Sequence, residues 1–550
     1  MCMKRLVCML CAVLLMIPLW GCERNEQSGS GAGHSFAGVL AGNPDTLDPQ
    51  LAVNDSARTV LHNLFEGLFV IGEKGAVEPG VAKSYTVSED GLTYNIQLRQ
   101  DSYWYAVTED EAITTLLEAP VNAMDFVYAF RRLFDPLYKS PHREQYRCIA
   151  YADAIINGQQ DPSMIGVYAK KEYELEIRLA QPNADLPYLL AQTPAMPCRQ
   201  SYFEACKGRY GLDEASICGN GSFAMQRWLY DPYGKHNVIQ LGRNRKNHEV
   251  QRVYPADLTL YIENSVSAAE QLYTAGSIDV LMTANGELAS GAKGTVQGVY
   301  CRTLGLVANP DSPYAHKLVR QAFACTTDLS ALGALPQGLQ AAYGVLPPDV
   351  LLANKSCREL IAESRNHSTD RTQAQVDFAQ GLAELELEEL PEGRILMPAG
   401  WVDDDVMLQL IDQWKNTLGV YLSLEEVSEE DYASRLKKGD YTLAVAALQG
   451  TANDPEELFR AYLQHPAMDF TDGAQDVMRL VSLLEQAKSA DSPDKQVELY
   501  RTAEQQVLQD GVFLPLFYGQ RYLLCKESIA DVAWDPFGGV TKYSPAKCFD

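Results

Sequence analysis

Imidazoles and thiols are the side chains of this sequence best suited to bind a metal ion or to act in catalysis. The eight histidines are His34, His62, His142, His236, His248, His316, His367 and His465. No two of them are four positions apart, the spacing that places two imidazoles on one helix face, and neither HExxH nor GxSxG occurs. We therefore predict no metal site, no cofactor and no enzymatic activity, with a surface hydrolase as the competing class of protein.

The first 22 residues have the pattern of a secretory signal that ends at a cysteine. Lys4 and Arg5 precede the apolar run LVCMLCAVLLMIPLW, which is too short to span a membrane comfortably. The next step, Leu19-Trp20-Gly21-Cys22, resembles the lipobox of bacterial lipoproteins, in which the cysteine is acylated. This resemblance implies a signal peptide over 1–21 and lipidation of Cys22. An ordinary signal peptide with an unmodified Cys22 is the alternative.

The thirteen cysteines do not show the spacing of a zinc site. The pair Cys8 and Cys11 would leave with the signal peptide. The cysteines that follow Cys22 are Cys148, Cys198, Cys206, Cys218, Cys301, Cys325, Cys357, Cys525 and Cys548. Their number is odd, so at least one thiol stays unpaired within a monomer.

Composition indicates a globular protein held outside the cell membrane. Residues 22–35 are polar and glycine-rich, which is typical of a flexible tether. No later stretch approaches about 18 consecutive apolar residues, so we expect the body on the extracytoplasmic face of a bacterial membrane, anchored by lipid. The formal charge of −26 over 550 residues would repel phosphate backbones, which excludes nucleic acid as a partner.

Periodicity and turn signals predict strands that alternate with helices. Asn54-Asp55-Ser56 offers N-cap oxygens to an apolar stripe that begins at Val60, with Gly67 as the expected stop. Asn122 is expected to cap a helix within 121–136. Alternation over 91–104 and a continuous apolar run within 436–450 predict strands.

Seven short stretches, spread over nearly the whole chain after Cys22, carry a resemblance to a known family. They are Thr46-Leu47-Asp48-Pro49, NLFEGL from Asn63, GAVEPGVAKSY from Gly75, SEDGLTYNIQLR from Ser88, DFVYAFRR from Asp125, LVRQAF from Leu318 and VFLPLFYGQ from Val512. In this order they resemble the extracellular solute-binding proteins, family 5, of the peptide/nickel class of ABC importers.

The resemblance implies an α/β fold similar to periplasmic-binding-protein type II, with two α/β lobes, a hinge and an extra α+β domain. Lobe I is expected to combine 36–65, 198–300 and 520–550. The extra domain is expected over 66–197 and lobe II over 301–519. Where strands cross between the lobes, near Arg302 and Gln520, we expect the hinge.

The resemblance also implies ligand contacts on the first lobe. In the family, residues just after Leu-Asp-Pro line the cleft, which places Val53, Asn54 and Asp55 beside the ligand. The alternative is that Asp55 only caps the helix. His142 occupies the position of a ligand-facing tyrosine, and we expect it to titrate near neutral pH beside a carboxylate; an exposed loop histidine is the alternative.

On the second lobe, the segment AVAALQGTANDPEELF resembles a cleft segment of the family. The implied ligand contacts are Ala447, Leu448, Gln449, Thr451, Asn453 and Asp454. Counting back from Pro455, the aspartate that binds a peptide ammonium in the family falls on Thr451. A hydroxyl cannot neutralise an ammonium, so uncharged-end ligands are expected to compete with free-ended peptides on equal or better terms, unless Asp454 or Asn453 serves instead.

The implied function is capture of an oligopeptide or peptide-like solute in a closing cleft and its delivery to the permease subunits of an ABC importer. The protein is expected to act as a monomer and to catalyse no reaction. A sensor lipoprotein that presents a peptide signal to a receptor would share the same fold, so it stays open as an alternative.

Lipidation of Cys22 can be tested directly. Replacing Cys22→Ser removes the acylated thiol, so the protein should move from the membrane fraction to the soluble fraction. Immunoblots of the two fractions measure the change, with Cys548→Ser as the control substitution of another cysteine. Unchanged membrane retention of the Cys22 variant would contradict the anchor.

Overall fold

The computed structural model describes residues 33–549, with gaps at 73–76, 109–110, 118–119, 184, 235–236, 353–354, 363–369, 469, 471–473 and 491. The predicted signal peptide, Cys22 and most of the tether lie outside the described residues. Within the described ranges, no helix combines the length and the apolar character that a membrane crossing requires. Among the described residues, none of the nine cysteines after Cys22 forms a disulfide, which confirms that at least one thiol stays outside a disulfide.

The described strands run the length of the chain. The first are β1 (Ser35–Leu40), β2 (Phe69–Ile71), β3 (Val77–Pro79), β4 (Ala82–Val87), β5 (Thr93–Leu98), β6 (Val167–Lys171), β7 (Glu174–Arg178) and β8 (Phe223–Leu229). Next are β9 (Val238–Arg243), β10 (Asp257–Ile262), β11 (Val280–Thr283), β12 (Thr295–Ala308), β13 (Leu339–Ala341), β14 (Leu351–Leu352), β15 (Lys355–Ser356) and β16 (Gly393–Pro398). The last are β17 (Leu422–Val427), β18 (Leu443–Gln449), β19 (Leu514–Cys525), β20 (Ile529–Ala530), β21 (Ala533–Asp535), β22 (Val540–Lys542) and β23 (Lys547–Cys548).

The described α-helices lie between these strands. Those before residue 300 are α1 (Asp55–Leu64), α2 (Glu111–Leu116), α3 (Ala123–Phe134), α4 (Ala152–Ile156), α5 (Leu186–Leu189), α6 (Gln200–Ala205), α7 (Val266–Thr274) and α8 (Gly286–Gly291). Those after it are α9 (Lys317–Thr326), α10 (Cys357–Leu360), α11 (Arg371–Glu384), α12 (Asp404–Leu418), α13 (Glu429–Lys438), α14 (Pro455–Gln464), α15 (Ala474–Lys488) and α16 (Pro493–Asp510).

Three larger sheets organise the strands. The first has the order β1-β10-β9-β8 and the second β4-β5-β7-β6. The third has the order β11-β19-β12-β18-β16-β17, with β13 paired to β19. The first sheet comes from segments assigned to lobe I, the second from the extra domain, and most of the third from lobe II. The boundaries between these units stay a prediction.

The long strands β12 and β19 tie the third sheet together. They pair antiparallel from Thr295 opposite Cys525 to Leu306 opposite Leu514, so one end of the pair reaches β11 and the other reaches β18. Their register shifts between Tyr300 and Arg302, an irregularity of the kind that bends a strand. The hinge predicted near Arg302 coincides with this shift and stays a prediction.

Strand β18 is buried on both faces, which explains its continuous apolar sequence. Ala444, Ala446 and Leu448 belong to one hydrophobic core, which also contains Phe459 of α14. Leu443 and Val445 point into a second core on the opposite face of the sheet. A separate, larger core joins the first and second sheets.

Local cap signals predicted the starts of two helices correctly. Asn54 caps α1 by accepting from the Ala57 N–H at 2.7 Å, and Asn122 and Asp125 form a capping box at the start of α3. The expected stop at Gly67 is wrong. Helix α1 ends at Leu64 because Phe65 adopts an extended conformation and donates its N–H to the Leu61 carbonyl at 2.7 Å.

A buried ion pair joins two of the family-like stretches. Asp48, from Leu-Asp-Pro, and Arg132, from DFVYAFRR, pair with side chains that are 4% and 2% exposed. The guanidinium also donates to Gln50 Oε1 at 2.7 Å and lies 3.9 Å from the ring centre of Phe203. A single uncompensated charge at this depth would cost several kcal/mol, roughly, so each partner depends on the other.

The same neighbourhood fixes the chain that follows Asp48. The Gln50 carbonyl accepts from Ser140 Oγ at 2.6 Å, and the Ala52 carbonyl lies 2.8 Å from His142 Nε2. Ser140 and His142 both lie in the loop after α3, and Arg132 lies near the C-terminal end of that helix. The path from residue 48 to the start of α1 is therefore held by the segment that the sequence assigns to the extra domain.

Asp48→Asn tests this dependence. Removing the carboxylate charge leaves Arg132 buried and unpaired, so the free energy of unfolding should fall by about 3–5 kcal/mol. Urea denaturation followed by tryptophan fluorescence measures the loss. The control is Asp213→Asn, which breaks an exposed pair with Arg209 and should cost about 1 kcal/mol or less. Equal losses in the two variants would contradict the account.

Candidate functional site

The first group of predicted ligand contacts surrounds the start of α1. The Val53 side chain is free of the core, with the residue 50% exposed, and its N–H donates to Asp45 Oδ2 at 2.9 Å. Asn54 is the helix cap, so Asp55 is not. Asp55 lies in the first turn, where it pairs with Arg58 and lies 3.9 Å from Arg521 of β19.

His142 hydrogen-bonds to the backbone just before this group. Its Nε2 lies 2.8 Å from the Ala52 carbonyl, to which the neutral ring donates. Burial lowers the pKa of His142 below its ordinary value, and the bond to Ala52 only partly opposes the shift. The shift moves the pKa of His142 away from the neutral range that the sequence suggested, because desolvation disfavours the imidazolium. His142 acts as a neutral hydrogen-bond donor that positions the chain before Val53.

The second group lies at the carboxyl end of β18. From Leu443 to Gln449 this strand pairs with β12 on one side. On the other side it pairs with β16 only at Leu443 and Ala444. Beyond Ala444, that edge of β18, which we call its open edge, has no register partner among the described residues. The Val445 carbonyl accepts the Tyr432 hydroxyl at 2.8 Å. The Leu448 side chain is buried in a core, so this residue has only its backbone available for contact with a ligand.

The loop after β18 carries the polar members of the second group. Thr451 Oγ1 donates to Glu457 Oε2 at 2.5 Å. Asn453 Oδ1 accepts from the Leu351 N–H at 2.8 Å. Asp454 caps α14 by accepting from the Glu456 N–H at 2.9 Å. Thr451 thus stands against a carboxylate, Glu457, that sequence reasoning did not place beside it.

Acidic side chains crowd this loop. Burial, followed by the Glu456 carboxylate, raises the pKa of Asp454 to about 7, while its bond from the Glu456 N–H opposes the shift. Asp185, which precedes α5, also contributes to the rise. Burial raises the pKa of Tyr188 in α5, and nearby carboxylates, including that of Asp454, raise this pKa further. Residues assigned to lobe II and to the extra domain therefore come together near Asp454.

A turn between β21 and β22 bridges the two groups. Arg58 Nε donates to the Gly538 carbonyl at 3.1 Å, and Gln449 Nε2 lies 3.4 Å from the Phe537 carbonyl. Phe537 is buried in the core that lines β18. Sequence reasoning missed this turn, although Asp535-Pro536 followed by Gly538-Gly539 is a strong turn signal.

Comparisons with known proteins agree with this architecture. A family model described as bacterial extracellular solute-binding proteins, family 5, middle region, matches residues 76–470. The periplasmic oligopeptide-binding protein OppA of Salmonella typhimurium is 25% identical over 492 residues, covering 86% of this chain and 85% of that protein. The dipeptide-binding protein DppE of Bacillus subtilis is 21% identical over 567 aligned positions, 97% of each chain.

A solved structure shares the fold. Haemophilus influenzae OppA in complex with RPPGFSPFR matches with a TM-score of 0.74 at 19% identity, covering 94% of this chain and 99% of that chain. The likeness confirms the predicted α/β fold of the periplasmic-binding-protein type II kind, built from more than one lobe.

The environment of Asp454 gives a pH prediction. Because its pKa is raised to about 7, the native protein holds a proton there that the unfolded chain loses near pH 4, so wild-type stability falls as pH rises between these values. Asp454→Asn keeps a capping side chain but cannot ionise. Its unfolding free energy relative to wild type should therefore increase by roughly 1–3 kcal/mol between pH 5 and pH 8.

Urea denaturation at the two pH values measures this difference. Asp403→Asn, which replaces the exposed N-cap aspartate of α12, is the matched control for exchanging a capping aspartate. If the Asp454 variant follows wild type in parallel from pH 5 to pH 8, Asp454 does not carry the proton.

Proposed function

This chain belongs to the bacterial extracellular solute-binding proteins of family 5, and we propose that it captures an oligopeptide or peptide-like solute for an ABC importer. The solute would bind between the two groups of residues described above and pass to the permease subunits. The protein works by binding and release rather than by catalysis. It acts as a monomer on the extracytoplasmic face of the membrane, held there by a lipid on Cys22.

The open edge of β18 is the observation that carries the proposal. An extended peptide binds most readily where a strand offers unpaired N–H and C=O groups, because its own backbone can then complete the ladder. Ala447, Leu448 and Gln449 offer such an edge. Sequence-independent recognition of this kind suits a protein that must accept peptides of varied composition, with side chains accommodated in hydrated pockets.

The first group forms the opposite wall of the proposed site. Val53 presents an exposed apolar side chain, while Asn54 and Asp55 bring the start of α1 to the same place. The side chains of Asn54 and His142 are already engaged, so we assign them to shaping this wall. Asp55 keeps partial exposure and is the acidic group on this side.

We assign the ligand ammonium to the Thr451 end of the second group. Thr451 alone has no charge, but the Glu457 carboxylate accepts its hydroxyl at 2.5 Å and supplies the charge that a desolvated ammonium needs. Arg460 Nε lies 3.5 Å from Glu457 Oε1 and offsets part of the negative charge of Glu457. Asn453 and Asp454 hold the loop and the start of α14 beneath this position.

Calorimetry with tri-alanine and its N-acetylated form tests both the function and this assignment. Glu457 reverses the expectation drawn from Thr451 alone: wild type should bind tri-alanine at least about tenfold tighter than the acetylated peptide, since a charge-assisted hydrogen bond is worth roughly 1.5–3 kcal/mol. Glu457→Gln should remove the difference by weakening only the free-ended peptide. Glu456→Gln is the matched control, because Glu456 is already paired with Arg460 and Lys488.

Two other results are informative. Equal binding of both peptides by wild type would mean that Thr451 leaves the site without an ammonium partner, and Thr451→Asp should then favour the free-ended peptide. If neither peptide binds, while the protein is folded, capture of peptides is not its function.

A further inference from the structure

A basic turn lies on the surface of this acidic chain, between β9 and β10. The formal charge of the whole sequence is −26, yet the stretch RNRKNHEVQR from Arg243 to Arg252 holds four Lys or Arg residues and one acid, Glu249. Arg245 and Lys246 are exposed. Neither side chain forms an ion pair with any residue that the structure describes. We call Arg243, Arg245, Lys246 and Arg252 the basic turn.

Two buried asparagines hold this turn in place. Asn244 and Asn247 are 0% and 4% exposed. Asn244 Nδ2 donates to the Gly221 carbonyl at 2.9 Å, and Asn244 Oδ1 accepts from the Lys246 N–H at 2.9 Å. The two positions between the asparagines, Arg245 and Lys246, are therefore the exposed ones. Because the backbone is already fixed, contact with a surface costs it little ordering.

The arginines at the two ends of the stretch leave the turn positive. Arg243 donates through Nε to the Pro255 carbonyl and through Nη2 to the Tyr254 carbonyl, and both acceptors are neutral. Arg252 is 78% exposed and lies 3.1 Å from Glu249, a surface pair of the kind that contributes little.

The acids that lie closest behind the turn have partners of their own. The Glu66 carboxylate lies 2.9 Å from the ring of His248, and Asp101 lies 2.8 Å from Arg99. The charges of Arg245 and Lys246 are therefore not cancelled from this side.

The basic turn lies where the predicted tether enters the folded protein. The His34 carbonyl accepts from the Ala256 N–H at 3.0 Å, and the Ala256 carbonyl accepts from the Arg243 N–H at 2.8 Å. Since neighbouring strands lie about 4.8 Å apart, two strand spacings, roughly 10 Å, separate His34 from Arg243. The predicted tether would span roughly 20 Å. A lipid on Cys22 would thus keep the basic turn close to the membrane surface.

We infer that the basic turn docks on anionic phospholipid headgroups and orients the protein on the membrane. The inference rests on the lipid anchor of the proposed function and adds a second contact to it. An anionic surface repels the acidic body as a whole, so the favoured orientation places the basic turn at the headgroups. Lys and Arg side chains are attracted only within about a Debye length, roughly 8–10 Å, of the surface, which makes the position beside the tether essential.

A lipid surface fits this turn better than a folded partner does. No large hydrophobic residue between Arg243 and Arg252 is exposed, whereas protein interfaces are normally anchored by buried aromatic or apolar side chains. Headgroups require only exposed cations, which the turn supplies.

Acetylation of Lys246 measures the contact directly. Protein purified from its native source is added to vesicles of phosphatidylcholine alone, or of equal parts phosphatidylcholine and phosphatidylglycerol, and labelled lysines are quantified by mass spectrometry. On the anionic vesicles Lys246 should react at least about fivefold more slowly, and high salt should abolish this difference. Lys438, exposed at the end of α13, is the internal reference and should react equally on both.

The variant Arg245→Glu tests whether the turn makes the contact. Reversing this charge should return the labelling rate of Lys246 on anionic vesicles to its rate on phosphatidylcholine. The control is Arg371→Glu, which makes the same change of net charge at an exposed position of α11 and should leave Lys246 protected. Both variants should melt with wild type, because both arginines are exposed.

Equal labelling of Lys246 on the two kinds of vesicle, or protection that survives in Arg245→Glu, would overturn the inference and leave the anchor intact. Protein that sediments with neither kind of vesicle would contradict both the anchor and the docking. Protein that sediments only with anionic vesicles, at low salt, would reject the anchor and support the docking. Protection that requires permease subunits in the vesicles would assign the turn to a protein partner and would overturn docking on lipid.

Discussion

The buried pair of Asp48 and Arg132 is the constraint on which the proposed cleft depends. The two residues are 84 positions apart, one before α1 and the other near the end of α3. Their charges are too deep for water to stabilise either alone, so the pair locks the turn before α1 onto the extra domain. Ser140 and His142 then hold the backbone of Gln50 and Ala52, which fixes the exposed Val53 at the wall of the proposed site.

Contacts between residues that are far apart in the sequence form the proposed cleft. Arg58 reaches the Gly538 carbonyl across 480 positions, and Asn453 meets the backbone of Leu351. Capping at Asn122 was predictable because both partners lie within one helical turn. Glu457 beside Thr451 was not predictable from a count along the family pattern, because the helix after Asp454 folds its carboxylate back onto the loop.

Acidic and basic groups lie at different places along the proposed cleft. Carboxylates crowd the loop around Asp454, where burial and mutual repulsion raise its pKa, while Arg302 lies unpaired beside the end of β18. Sequence alone placed Arg302 only near a hinge, because burial and missing partners are properties of the fold. At the end of β18, a strand edge and the Nε of Arg302 have no partner among the described residues.

The most direct test of this account is mass spectrometry of the solute released by denaturing the protein purified from its native source. We predict short peptides that carry a free amino terminus, at close to one peptide per protein. A released solute without peptide bonds would contradict the central claim that the cleft between β18 and α1 is a peptide-binding site.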